Sequence, residues 1–234
     1  MIYAAHQPNY LPWLGYFHKI ARADVFVILD DVQFEQGSYQ NRVQIKTPQG
    51  PQWLTQPIRH KHPQTTADVG FDTRVDWREK HLKQIRSNYG RAASFHRVFP
   101  LFEQWLNEAH GEKLAAVNIS LIEAVARAIG LKTEIVLSSS LNVTSSSAVR
   151  LVEIGTKLGA SVYLSGHGAK KYQNERDFQT AGIALRYTDF TPGRYNQLWG
   201  EFTGGLSVID VLFNIGLDGT VKACMPPLRA EAAQ

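Results

Sequence analysis

His6, Gln7, Asn9 and Tyr10 lie close together in one short polar stretch, and Pro8 and Pro12 restrict the backbone around them. A histidine in such a turn can exchange protons near neutral pH or hydrogen-bond an anionic ligand, while Gln7 and Asn9 can read a base or a sugar hydroxyl. The competing reading is that His6 only ties the loop to nearby backbone. A second polar cluster begins at Asp30-Asp31 and runs to Asn41-Arg42. Paired carboxylates can bind magnesium or act as a general base. Neighbouring residues of an extended chain point in opposite directions, so one of Asp30 and Asp31 is expected at the site. Asn41 and Arg42 offer an amide and a guanidinium to a phosphate or carboxylate, or clamp their own loop.

A third cluster, Ser165-Gly166-His167-Gly168-Ala169-Lys170-Lys171, has amides and lysines able to cradle phosphate. It matches neither the P-loop nor the dinucleotide-binding fingerprint. Tyr195 and Gln197 stand in an aromatic, amide-rich loop, and Gly15 offers room for close approach by a ligand or chain. Ser207 and Asp210 have the spacing of a helix capping box, which removes them from the catalytic candidates. Cys224 is read as an inert thiol, and Lys19 as a surface charge with phosphate contact as the alternative.

These residues need a scaffold. Ile2 to Ala5 and Val25 to Leu29 read as buried strands and Trp13 to Ala23 as a helix, with Trp13, Phe17 and Ile20 on its core face. Strand, turn, helix, strand opens a parallel α/β sheet, where ligands bind beyond the carboxyl ends of the strands. A hairpin is expected over Val43 to Lys46 and Gln52 to Thr55, then an irregular excursion over 59 to 77. Helices follow at Arg78 to Tyr89, Pro100 to Glu108 and Lys113 to Ile129. Strands at Thr133 to Leu137, Ser161 to Leu164 and Ala184 to Tyr187 alternate with helices at Ser147 to Leu158 and Lys171 to Thr180; Leu206 to Ile215 forms a last helix. The expected fold class is α/β, a three-layer, mostly parallel, Rossmann-like sheet. One domain is expected over 1–225, with 43–110 as a hairpin and helical elaboration and 226–234 as a loose tail.

A chain of 234 residues with 44% hydrophobic content suits one such domain. No apolar run reaches the ~18 residues of a membrane span, no signal-peptide pattern is visible, and one cysteine excludes an internal disulfide. A soluble cytoplasmic protein is expected. The net charge of +4 is concentrated around residues 59–62 and 74–97. Those charges suit a solvated face, or attract a phosphorylated ligand, an anionic membrane or RNA.

The stretches His6-Gln7-Pro8-Asn9-Tyr10-Leu11-Pro12, Leu14-Gly15-Tyr16-Phe17, Asp30-Asp31-Val32-Gln33-Phe34 and Gln40-Asn41-Arg42 resemble the WbqC-like protein family. Trp53-Leu54-Thr55, Tyr163-Leu164-Ser165-Gly166 and Leu206-Ser207-Val208-Ile209-Asp210 fit the same pattern. That resemblance implies a bacterial protein associated with O-antigen or other surface-polysaccharide biosynthesis, and so a nucleotide-linked sugar or its acyl or aminoacyl modification. The opening unit is also similar to the HIGH-motif nucleotidylyltransferases and pantothenate synthetases. Their paired histidines are missing from Trp13-Leu14-Gly15-Tyr16, and His6 and Lys170 are the residues able to replace the charge.

The expected function is therefore a transferase acting on a nucleotide-linked amino sugar. His6 serves as general base or phosphate contact, oriented by Asp30 or Asp31, and Asn41, Arg42, Gly166, His167 and Lys170 hold a diphosphate or acyl donor. Gln7, Asn9, Tyr10, Gly15, Ser165, Tyr195 and Gln197 complete the binding set. No cofactor or metal is identified. The rivals are a nucleotidylyltransferase, a non-catalytic nucleotide-sugar or glycan-binding accessory protein, and an enzyme that takes its aminoacyl group from tRNA.

Overall fold

The apolar runs near the N-terminus form the middle of the molecule. In the computed structural model, which describes residues 1–171 and 173–225, β1 (Ile2–His6) and β2 (Val25–Ile28) pair in parallel around α1 (Leu14–Ala21). Three later strands, β7 (Glu134–Leu137), β8 (Val162–Gly166) and β9 (Ala184–Thr188), complete one sheet in the order β7-β2-β1-β8-β9. Every pairing in it is parallel. This is the doubly wound α/β arrangement expected from the sequence, and its strand order reverses between β1 and β8.

Side-chain alternation sends the two faces of the sheet to different cores. Ala4, Phe26 and Ile28 enter the larger one, with Phe17 and Ile20 of α1, Leu121 of α4 (Leu114–Ala128) and Leu212 of α7 (Val208–Cys224). Tyr3, Ala5, Val25 and Val27 face the other, with Ile154 of α5 (Ser147–Lys157) and Phe178 of α6 (Glu175–Thr180). A sheet covered on both sides explains why these strands are short unbroken apolar runs.

The segment between β2 and α4 builds the elaboration. The hairpin is β3 (Arg42–Thr47) and β4 (Gly50–Thr55), antiparallel and two residues longer in each arm than the sequence suggests. The irregular excursion contains a small second pairing, β5 (Ile58–Arg59) with β6 (Gly70–Phe71). Two helices follow, α2 (Trp77–Tyr89) and α3 (Phe95–Glu108). The latter starts a turn and a half before Pro100, whose missing N–H removes one interior bond. Burial of Phe95, Val98, Phe99, Phe102 and Leu106 on one face carries the helix through the proline.

Two glycines have positional reasons. The last helix breaks at Gly216, with φ 73°, where the sequence reading stops it, and then continues to Cys224. Gly155 of α5 lies flat on the sheet: a Cβ there would fall 2.7 Å from Ile183 Cδ1 and 2.8 Å from Tyr3 Cε1. Gly155→Leu is therefore expected to destabilise the fold by about 2–3 kcal/mol through overpacking. Urea unfolding reads this directly, and a midpoint equal to the wild type would mean that α5 is not seated as described. The last stretch of the chain, 226–234, read above as a loose tail, lies outside the described residues.

Candidate functional site

The carboxyl ends of β1 and β8 are neighbours. Ala4 pairs with Leu164, which brings His6 level with Gly166 two residues further on. The His6 loop and the Gly166 loop therefore converge at the point where the strand order reverses, the usual position of a ligand crevice in such a sheet. Gly166 and Gly168 have no atom within 4 Å of where a Cβ would stand, so their surroundings are open. His167 and Lys170 are exposed in the 3-10 turn His167–Lys171, and Lys170 lies 5.9 Å from the Tyr187 ring.

His6 is partly buried against Tyr16, ring centroids 5.0 Å apart. Its Nδ1 lies 3.2 Å from the Gln7 carbonyl. A carbonyl only accepts, so the proton is on Nδ1 and the lone pair on Nε2. Burial, then the nearby Lys19 charge, lower its pKa to about 3. The imidazole is thus neutral at physiological pH and accepts hydrogen bonds more readily than it keeps a proton. Tyr16 supports the turn from below by donating to the Gln7 carbonyl at 3.1 Å.

Lys19 departs from expectation. It is buried beneath β1, where its ammonium donates to the Ala5 carbonyl at 3.0 Å. Burial brings its pKa down to about 7. No carboxylate lies within 4.0 Å of it among the described residues. Nothing in the local sequence marks this, because Lys19 sits in the last turn of α1, a position usually solvated.

Asp30 and Asp31 are engaged elsewhere. Asp30 accepts from Ser138 Oγ at 3.2 Å, Ser139 N at 3.0 Å and Ser139 Oγ at 2.7 Å. Asp31 accepts from Ser138 Oγ and pairs with Arg150 at 2.5 Å. Both carboxylates join the loop after β2 to the turn after β7, and neither hydrogen-bonds His6. The expectation that only one of the pair would serve a site gives way to two carboxylates sharing one serine. The partners Ser138 and Ser139 follow the strand beside β2, so a serine run at that strand end was the available signal.

Other candidates are buried or held by neighbouring groups. Tyr10 is fully buried, and its hydroxyl donates to His81 Nδ1 at 2.8 Å, so it presents no surface to a ligand. Asn9 is buried in the same loop. Asn41 is buried; its amide nitrogen donates to the Gln56 carbonyl at 3.4 Å, and its Oδ1 has no partner among the described residues. The close approach at Gly15 comes from its own chain: a Cβ there would sit 2.2 Å from the Trp13 ring. Trp13 itself is 38% exposed, not in the core, while Phe17 and Ile20 are buried as expected. Arg42 lays its guanidinium 4.2 Å from the Trp53 ring. Ser165 is buried and its hydroxyl has no hydrogen-bond partner among the described residues.

Tyr195 and Gln197 belong to a separate network. Asp210, wholly buried, accepts from Tyr89 at 2.9 Å, Tyr195 at 2.6 Å and Gln197 at 2.8 Å. Gln197 Oε1 in turn accepts from buried Lys46 at 2.9 Å. Ser207 caps α7 as expected, but Asp210 does not return to it and the capping box stays half-formed. Each polar group of Gln197 is satisfied, so this network latches the 189–206 loop onto the hairpin and α7. A cavity of about 390 Å³ lies over it, lined by Tyr195, Gln197 and Phe202 among others. A groove of about 650 Å³ between Gln33, Thr65, Asp68 and Lys113 contains none of the candidate residues.

Much of the basic 74–97 region is internally matched. Arg74 pairs with Asp72, Lys83 with Glu79 and Arg86 with Glu103, while Arg78 donates to the carbonyls of Leu106 and Ala109. That is the behaviour of a solvated face. Burial also pushes the Cys224 thiol up to about 12, consistent with an inert side chain.

Two imidazoles, buried His81 and partly buried His6, set an acid limit on the fold. His81 Nε2 donates to the Thr55 carbonyl at 3.1 Å while Nδ1 accepts from Tyr10. Burial lowers its pKa to about 4, and that of His6 to about 3. Both are neutral when folded and titrate near 6.5 when unfolded, so their contribution is full above pH 6.5 and is lost as pH falls towards 4 and then 3. Lowering the pH from 7 to 4 is expected to remove on the order of 2–3 kcal/mol at His81 alone. His81→Gln should flatten the pH dependence of the unfolding free energy in that window; an unchanged slope would place the acid sensitivity elsewhere.

Strand order defines a Rossmann-like α/β protein in which the loops after β1 and β8 lie side by side. Within that class the WbqC-like protein family is matched over residues 7–222, and the chain belongs to it. It is also 35% identical over 216 residues to "Uncharacterized protein Rv1507c" of Mycobacterium tuberculosis (strain ATCC 25618 / H37Rv), an alignment covering 91% of this chain and 93% of that one. No solved structure matches the chain. No helix among the described residues is long and apolar enough to cross a membrane.

Proposed function

We propose that the protein is a cytoplasmic transferase acting on a nucleotide-linked amino sugar, adding an acyl or aminoacyl group during bacterial surface-polysaccharide biosynthesis. The observation that carries this reading is the meeting of the His6 and Gly166 loops at the β1/β8 switch point. Open glycine backbone on one side and a neutral histidine on the other suit a diphosphate beside a hydroxyl or amine to be modified. Gln7, His167 and Lys170 are the further polar side chains carried by these two loops. Family membership supports the biosynthetic setting. In this reading Asp30 and Asp31 hold the crevice wall in place through Ser138, Ser139 and Arg150 instead of orienting His6.

The low pKa of His6 favours one alternative, a nucleotide-sugar-binding accessory protein without turnover, because so weak a base needs a bound anion to become effective. Thermal shifts with a panel of nucleotide sugars and nucleoside triphosphates, followed by mass spectrometry of reactions containing acyl donors, separate the readings. Stabilisation by a nucleotide sugar together with a mass increase on its amino sugar is the expected result. Stabilisation without product supports the accessory protein. A magnesium-dependent release of pyrophosphate from a triphosphate would replace both with a nucleotidylyltransferase.

A further inference from the structure

Lys19 has no structural reason to be charged where it is. It is 5% exposed, uses one of its three N–H donors on the Ala5 carbonyl, and faces Phe26 with its ammonium 5.8 Å from the ring centroid. A buried ammonium without a carboxylate is among the least favourable arrangements in a protein interior, and apolar residues of equal length fill such sites better. It does have a location. Ala5 immediately precedes His6, and the Lys19 charge helps to lower the His6 pKa. By strand alternation His6 projects to the same face of the sheet as Ala4, the face that α1 covers. Gly166 shares that face and level on β8. Lys19 thus bonds the backbone one residue before His6, Gly166 stands level with His6 on β8, and Lys19 has no anionic partner among the described residues.

We propose that Lys19 is the cationic element of an oxyanion-binding site at the carboxyl end of β1, supplying the charge that neutralises a phosphate of the ligand, while neutral His6 beside it accepts from a hydroxyl of the same ligand. The inference rests on the nucleotide-linked substrate proposed above and names the residue that recognises its diphosphate. Lys19 keeps its bond to Ala5 and offers its remaining donors to the phosphate, while His6 Nε2 accepts from a neighbouring hydroxyl. A bound anion favours the charged amine, whose pKa of about 7 in the empty protein then rises, so binding at pH 8 takes up a proton. A carboxylate of an acyl donor has related chemistry and is the other source of such an anion.

The test compares wild type, Lys19→Met and Lys19→Arg by isothermal titration at pH 8 with pyrophosphate, UDP, uridine and acetate, in two buffers of different ionisation enthalpy. At pH 6, where Lys19 is charged, Lys19→Met is expected to melt at or above the wild-type temperature, because it removes an uncompensated buried charge. It should lose at least about tenfold in affinity for pyrophosphate and UDP, with uridine unchanged, and the buffer-dependent heat should vanish. Lys19→Arg should retain part of the affinity. Acetate binding that depends on Lys19, with no pyrophosphate binding, would overturn the phosphate assignment in favour of the acyl donor. Wild-type and Lys19→Met proteins that bind pyrophosphate equally would overturn the role of Lys19 while leaving the substrate reading intact. A wild type that binds no phosphate probe would overturn the substrate reading itself, and a Lys19→Met protein that melts well below wild type would assign Lys19 a structural role.

Discussion

His6→Ala is expected to lower turnover of the nucleotide sugar identified by the ligand panel by at least about a hundredfold, the lower end of what a positioned general base or acceptor contributes. The change removes both ring nitrogens. Nδ1 only holds the turn through the Gln7 carbonyl, whereas Nε2 carries the ring's lone pair. His6→Asn separates the two roles, since its amide can still donate towards Gln7 but leaves nothing in the position of Nε2. Both variants should therefore be equally inactive, and His6→Asn should retain the wild-type circular dichroism and melting temperature. Full turnover in His6→Asn would reduce the histidine to a loop tie, the modest role weighed for it at the outset.

Asp210→Ala should cost about 3–5 kcal/mol of stability, read from the urea midpoint. The carboxylate is the shared acceptor of Tyr89, Tyr195 and Gln197, and removing it leaves the two tyrosine hydroxyls without their acceptor, while Gln197 keeps the Thr203 carbonyl. Asp210→Asn retains one acceptor oxygen and should cost less, about 1–2 kcal/mol. Its dependence on pH has a definite sign. Burial raises the Asp210 pKa, so the folded state favours the neutral acid, and that contribution is lost as pH rises through the folded-state pKa. The deficit of Asp210→Asn relative to wild type should accordingly be larger in acid and smaller near neutrality. A loss under about 1 kcal/mol in Asp210→Ala would mean that the 189–206 loop stays latched without it.

Most of the scaffold was legible because periodicity and burial coincide in this chain. Ile2 to Ala5 and Val25 to Leu29 are apolar throughout, as only a doubly covered strand needs to be, and the matching strand ends follow. Pro100 misled because proline usually opens a helix, whereas an aromatic face carried this one through. The candidate loops were visible as clusters of polar groups at strand ends. Which of those groups faces a ligand was not, because hydrogen-bond partners come from far along the chain: Tyr10 is claimed by His81, Asp31 by Arg150, and Tyr195 by Asp210. Lys19 shows the opposite failure. A lysine in the last turn of a short helix looks ordinary in sequence, and only the position of α1 against β1 makes it a buried cation.

The position of β1 also orders the events of biosynthesis. One of its edges is met by β2 almost at once, through Tyr3 and Val25, but the other waits for Tyr163. At roughly 5–20 residues per second, a ribosome leaves that edge uncovered for about 8–30 s, long after the N-terminal half has left the exit tunnel. A nascent chain stopped before β8 presents an open strand template, the kind of surface that chaperones cover and that drives aggregation when they do not. The same late pairing brings the His6 and Gly166 loops side by side from positions far apart in the chain. Premature termination anywhere before residue 162 therefore yields a product that is both sticky and siteless.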